Sequence, residues 1–163
     1  MSEMIMRNAK LSDLDQCFEV ESAGFPEEEA ASKESIKTRI ETFPQGFLVA
    51  ELNGRIIGLI NSASTDKEDI TDEELKKMIG HDINGKNMIV FSLTVLPAYQ
   101  KRGIAQQLMM KFIEESKKLN KKKILLICKS HLIEYYKRLG FDYIGLSTST
   151  HGGAEWHEMS LRL

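Results

Sequence analysis

Apolar residues along this chain change rhythm repeatedly, and each change marks an element. Ile5 to Arg7 reads as a short first strand. Ser12 then precedes Leu14, Cys17, Phe18 and Val20, an N-cap followed by apolar residues near helical spacing. A second helix is predicted from Ser32, or slightly later, to Thr42, with Ile36, Ile40 and Phe43 on one face; Pro44 stops it. Phe47 to Glu51 and Arg55 to Ser62 flank Asn53-Gly54, a dipeptide that accepts positive φ at both turn positions and so predicts a tight hairpin. Thr71 to Ile79 reads as a short helix, with Thr71 and Glu74 as a capping box, and His81 to Lys86 as loop. Asn87 to Val95 is an apolar strand leading through Pro97 into a helix that lasts to about Lys118, where Ile104, Leu108, Phe112 and the stem of Lys111 share a core-facing side. Lys123 to Cys128 is a strand. His131 to Leu139 is a short helix closed by Gly140, and Phe141 to Leu146 and Glu155 to Leu163 are the last strands. The order is mixed α and β, with a strand–helix–strand crossover in the second half.

Composition narrows this picture. At 163 residues, 42% hydrophobic and 28% charged, the chain has the makeup of one globular domain spanning 1–163. A net charge of −2 gives no electrostatic reason to expect a nucleic-acid partner. The basic run from Lys117 to Lys123 and the acidic run from Glu27 to Glu29 read as solvated faces. No apolar run approaches the ~20 residues that span a bilayer, and the N-terminus lacks the basic start and apolar stretch of a signal peptide. Cys17 and Cys128 lie far apart and the four histidines have no ligand spacing, so the expectation is a cytoplasmic protein without a metal.

The chemistry concentrates at Gln100-Lys101-Arg102-Gly103-Ile104-Ala105. A strand, a glycine turn and a helix start leave several backbone N–H groups without intrahelical partners, and the helix dipole adds partial positive charge there. That arrangement suits pyrophosphate, which Gly103 would let approach the backbone closely. Alone, Q-x-x-G-x-A is a weak pattern, and it is not a Walker loop. Its context, directly after an apolar strand and before a long amphipathic helix, gives it weight.

Leu93-Thr94-Val95 followed by Gln100 to Ala105 resembles the acetyl-CoA motif of the GNAT acetyltransferase superfamily, and Tyr136-Lys137-Arg138-Leu139-Gly140-Phe141 is similar to that superfamily's Y-x-[KR]-x-G-F segment, at matching order and separation. The resemblance implies an α/β fold with a central twisted mixed sheet, splayed between its fourth and fifth strands to admit CoA and flanked by helices. It also implies an acetyl-CoA-dependent N-acetyltransferase. Cofactor contacts would fall on Leu93, Thr94, Val95, Gln100, Lys101, Arg102, Gly103, Ile104, Ala105 and Gln106. Phe25 to Ser32, Asp66-Lys67-Glu68, His151-Gly152 and Trp156 look like the arylalkylamine (serotonin) N-acetyltransferase branch.

The reaction needs a neutral amine, stabilisation of a developing oxyanion and a proton for the leaving thiolate. The resemblance carries the proton donor to Tyr136, since a tyrosine of pKa ~10 is protonated at neutral pH. Tyr135 is its confounder; the two point ~100° apart on a helix. Ile89 and Phe91 stand where the vertebrate arylalkylamine enzymes have two histidines, and neither can accept a proton. A water chain ending on Glu28, His81, His151 or His157 would replace that relay, as would binding of the minor neutral amine. Ser92, beside Phe91, is expected on the opposite side of the sheet. Cys128, ending an apolar strand, reads as buried and inert. Phe25, Pro26, Glu28, Phe91 and His151 are the acceptor candidates, for an arylalkylamine or a polyamine. The expected partner is a small-molecule amine, for a monomer or homodimer. The competing functions are acetylation of a protein N-terminus or lysine, and CoA sensing without catalysis.

Overall fold

A computed structural model describes residues 3–163. Seven strands form one sheet in the order β1-β2-β3-β4-β5-β7-β6. They are β1 (Met4–Asn8), β2 (Phe47–Leu52), β3 (Arg55–Thr65), β4 (Asn87–Val95), β5 (Lys123–Cys128), β6 (Asp142–Leu146) and β7 (His157–Arg162). Four helices accompany them: α1 (Leu14–Gly24), α2 (Lys33–Thr42), α3 (Ile104–Lys118) and α4 (Ile133–Arg138). Every neighbouring pair is antiparallel except β4 and β5, which α3 joins as a parallel crossover.

Local chemistry explains most of these elements. Asn53 and Gly54 take φ of 51° and 81°, so the β2–β3 hairpin closes on the dipeptide that predicts it. Ser32 caps α2, its Oγ accepting from the Ser35 amide at 3.1 Å. Phe47 to Ala50 and Ile56 to Thr65 are buried throughout, because β2 and β3 are covered on both faces. α1 and α3 cover opposite faces. Thr94 on β4 lies against Gly24 at the end of α1, while Gly58 and Val95 face Leu108 of α3.

Three expectations about the elements need correction. Ser12 is not the cap of α1. It sits inside a 3₁₀ turn (Leu11–Asp13), and the Asp13 carboxylate accepts from the Lys10 amide at 2.7 Å, held there by Arg7 at 2.7 Å. The predicted helix from Thr71 to Ile79 reduces to a single 3₁₀ turn, Leu75–Lys77. Asp69 accepts from the Thr71 amide and Asp72 from the Glu74 amide, each at 2.9 Å, so side-chain turns capture the backbone groups a helix would need. The helix predicted from His131 starts later, as α4, behind a 3₁₀ turn (Ser130–Leu132).

The feature that positions the site is where β4 and β5 separate. They pair at Asn87–Lys123, Met88–Ile124 and Ile89–Leu125, and no further. Beyond that point β4 carries a bulge: Ser92 pairs with Asn61 and Val90 with Ser62, leaving Phe91 as the extra residue. A bulge bends its strand and sharpens its twist, which turns β4 away from β5.

Candidate active site

The separating strands open a cavity of about 630 Å³. One wall is β4 from Ile89 to Leu93; the facing wall is Leu126, Ile127, Cys128 and Tyr136 from β5 and α4. The far end is built from Glu21, Phe25, Pro26 and Glu29 after α1, Arg39 on α2, and His151 and Trp156 near the C-terminus. Glu29 ties these pieces together. Its Oε2 meets Lys129 Nζ at 3.0 Å and its carbonyl lies 3.0 Å from His151 Nε2, while the Trp156 indole donates to the His151 carbonyl at 2.9 Å.

Tyr136 and Tyr135 separate clearly. Tyr136 lines the cavity and its hydroxyl makes no hydrogen bond within the described residues, whereas the Tyr135 hydroxyl is buried without a partner and outside the lining. Burial pushes the Tyr136 phenol well above its ordinary value, with Cys128 and Tyr135 adding to the effect. Burial also pushes the Cys128 thiol up to about 11, so it stays protonated at neutral pH.

The bulge overturns the expected separation of Phe91 and Ser92. Arg39 lies 4.5 Å above the Phe91 ring and donates to Asn61 Oδ1 at 3.0 Å, and Asn61 donates to Ser92 Oγ at 2.8 Å. Both β4 side chains therefore meet one polar group on one side of the sheet, because the extra residue breaks the period of two. Ser92 Oγ already accepts from Asn61, which leaves its proton free to be donated.

Among the other candidates, Phe25, Pro26, Phe91 and His151 line the cavity, and Glu28 does not. Glu28 is exposed; the carboxylates on the lining are Glu21 and Glu29, which are buried or half-buried, and the exposed Glu73. His81 packs on Phe43 at 4.6 Å and its Nδ1 accepts from the Ser64 amide at 3.0 Å, away from the cavity. His157 bonds Tyr143 at 2.9 Å and Glu155 at 3.1 Å, also outside it. Sequence reasoning missed Glu21 and Arg39. Both sit at apolar-face positions of their helices, and a charged residue in such a position is the signal that could have found them.

At the other end of β4 lies the glycine turn. Gly103 takes φ of 79° as the N-cap of α3 with no side-chain cap, and Lys101 also has positive φ, at 63°. Among the described residues no backbone amide from Lys101 to Gln106 donates to a protein acceptor. Lys101, Arg102, Gly103 and Gln106 are exposed, Ala105 is half-buried, and Ile104 anchors the turn in the core. Gln100 folds back, its Nε2 donating to the Val95 carbonyl at 3.1 Å, and Arg102 lies 5.4 Å from the Tyr99 ring. Leu93 lines the cavity; Thr94 and Val95 are buried.

The sequence from residue 11 to 141 matches the model of the acetyltransferase (GNAT) family. The chain belongs to that family. Its donor, acetyl-CoA, fits what is present: a run of free amides at a helix start for phosphate, and an apolar opening beside an unpaired strand edge for the pantetheine arm. Over 133 residues the chain is 30% identical to the probable hydrolase YhcX of Bacillus subtilis, covering 76% of this chain and 26% of that protein. It is 36% identical over 92 residues to the uncharacterized N-acetyltransferase YkwB of the same organism, covering 52% and 41%. The match thus spans well under half of either relative. The loading GNATL domain of CurA from Lyngbya majuscula has the same fold, with a TM-score of 0.89 at 16% identity over 98% of both chains.

The family model and the fold bear out the mixed, splayed sheet and the acetyl-CoA donor that the two motifs imply. No helix among the described residues is long and apolar enough to cross a membrane, and no group of three or more metal-ligating side chains occurs among them.

Proposed function

We propose that this chain is an acetyl-CoA-dependent N-acetyltransferase that passes acetyl directly to a small primary amine. The observation that carries this reading is one continuous cavity with Tyr136 on its β5 side and the unpartnered buried oxygens Glu21 Oε1 and Glu29 Oε1 toward its far end. Acetyl-CoA supplies a thioester carbonyl and a thiol leaving group. The amides from Lys101 to Gln106 would hold its pyrophosphate, with Lys101 and Arg102 adding charge. The free β4 edge at Leu93 and Val95 would hold its pantetheine arm. Tyr136, kept protonated by burial, is the group that delivers a proton to the departing sulfur. The Ser92 hydroxyl, oriented by Asn61, is placed to donate toward developing negative charge.

Direct transfer is supported by Cys128, whose raised pKa leaves little thiolate for a covalent route. The amine meets acid groups at Glu21 and Glu29, and His151 stands beside Glu29. Phe25, Pro26, Phe91 and Trp156 give an apolar wall, which supports an arylalkylamine-like acceptor; the acidic pair is what a polyamine would use.

The test is thiol release from acetyl-CoA with arylalkylamines, polyamines, amino acids and short peptides. Stimulation by small amines is expected. Stimulation by peptides alone would replace the small amine with a protein acceptor, and tight CoA binding with no stimulation by any acceptor would leave a sensor.

A further inference from the structure

Arg39 is 4% exposed, yet no carboxylate lies within ion-pair distance of it among the described residues. Its Nε donates to the Lys76 carbonyl at 3.2 Å and its Nη1 to Asn61 at 3.0 Å, while Nη2 has no protein acceptor. The guanidinium stacks on Phe91 at the cavity wall, so the open edge of its fork borders the acceptor end. Of the lysines on the lining, Lys129 pairs with Glu29 at 3.0 Å, Lys76 pairs with Glu73 at 3.1 Å, and Lys77 is exposed to solvent.

A buried charge with no counter-ion in direct contact is costly. Burial lowers the Arg39 pKa to about 10, the Glu21 carboxylate opposes that shift from beyond ion-pair distance, and the guanidinium stays charged at pH 7. Glu21 is the mirror case. It is 2% exposed, its Oε2 accepts from the Ala31 amide at 2.9 Å, and its Oε1 is buried with no partner. Both side chains line the same cavity, and they do not pair with each other. A cavity holding a buried guanidinium and a buried carboxylate, each without a direct ion-pair partner, complements a ligand carrying both charges.

We infer that the acceptor is a small amine that also bears a carboxylate, an amino-acid-like molecule, with its carboxylate on Arg39 and its amine nitrogen toward Glu21. Guanidinium is suited to this because its planar fork presents parallel N–H donors to a carboxylate. The inference rests on the N-acetyltransferase reading and narrows its substrate class.

The experiment compares matched pairs on the unmodified enzyme, phenylalanine with phenethylamine and ornithine with putrescine, by thiol release from acetyl-CoA. In at least one pair the carboxylate-bearing member is expected to have a kcat/KM tenfold or more above its partner. Arg39→Gln should collapse that ratio toward one, mainly through KM, and Arg39→Lys should restore part of it. A purely structural role for Arg39 would lower both members of a pair alike. Equal or better use of the decarboxylated member in both pairs overturns the inference while leaving the acetyltransferase reading intact. If no amine releases thiol, that reading fails by itself. Calorimetric titration of the same four compounds into CoA-saturated protein then decides the carboxylate site, and absence of any preference for phenylalanine or ornithine overturns it.

Discussion

Tyr136 and Tyr135 are neighbours of the same chemical type, and their burial and surroundings divide them. The Tyr136 ring packs edge-on against Phe141 at 5.6 Å and its hydroxyl is left to the cavity, while Tyr135 OH is enclosed. Tyr136→Phe keeps the ring and removes only the proton. Its turnover is expected to fall by roughly 10²-fold or more, with CoA affinity changed much less. Single-turnover thiol release and CoA titration measure the two effects separately, and an unchanged rate would remove Tyr136 from the proposed chemistry. Glu28 was legible only as part of an acidic run. The run's third member, Glu29, turns inward because Lys129 and His151 hold it, and both come from the far half of the chain.

Among the elements, the start of α3 depends on one backbone conformation. Gly103 has φ of 79°, where a Cβ is strained, although nothing lies within 4 Å of where that Cβ would stand. Gly103→Ala is therefore expected to cost about 1–2 kcal/mol of stability from the backbone alone. If the turn shifts to relieve that strain, the amides of Lys101 to Gln106 move with it and the KM for acetyl-CoA rises. Denaturant unfolding and steady-state kinetics read these effects. Gly24 presents the opposite case. Its φ is ordinary, but an added Cβ would stand 1.8 Å from Thr94 Oγ1, so Gly24→Ala must push α1 off β4 and is expected to destabilise by about 1–3 kcal/mol.

The segment between β3 and β4 has a pH response of its own. Burial, with Lys121 adding repulsion, lowers the His81 pKa from its ordinary 6.5. The folded state thus holds a neutral imidazole that the unfolded chain would protonate. That contribution is complete above pH 6.5 and is lost as pH falls below it toward the lower folded-state value. Thermal unfolding should show a falling midpoint across that window, and His81→Gln should flatten the fall.

At the scale of the whole molecule, the opening between β4 and β5 leaves strand edge, amides and apolar wall without partners in the protein. Binding CoA to the folded state alone should couple to global stability. At a hundred times its dissociation constant it would add about 2.7 kcal/mol, or roughly 5–10 °C for a chain of this size. Differential scanning calorimetry with and without CoA checks this, and no shift at saturating ligand would argue against the proposed cleft.

What the sequence alone determined is the part written in contiguous residues. The Asn53-Gly54 hairpin, the Ser32 cap, the strand Asn87–Val95 and the helix Ile104–Lys118 follow from turn chemistry, capping and periodicity that operate within a few residues. So does the free-amide turn at Gly103, since a helix start exposes its own N–H groups wherever it occurs. Side chains competing for the backbone hid the fate of Thr71 to Ile79, whose helical pattern lost to turns at Asp69 and Asp72. The acceptor end was decided only in three dimensions. The Phe91 bulge puts Phe91 and Ser92 on one side, against the alternation their positions imply, because β3 and β4 shift register there. Arg39, Asn61 and Ser92 come from α2, β3 and β4, and Glu29, Lys129 and His151 from segments about a hundred residues apart. Such groups share no local signal, and it is packing of the sheet and its helices that brings them to one cavity.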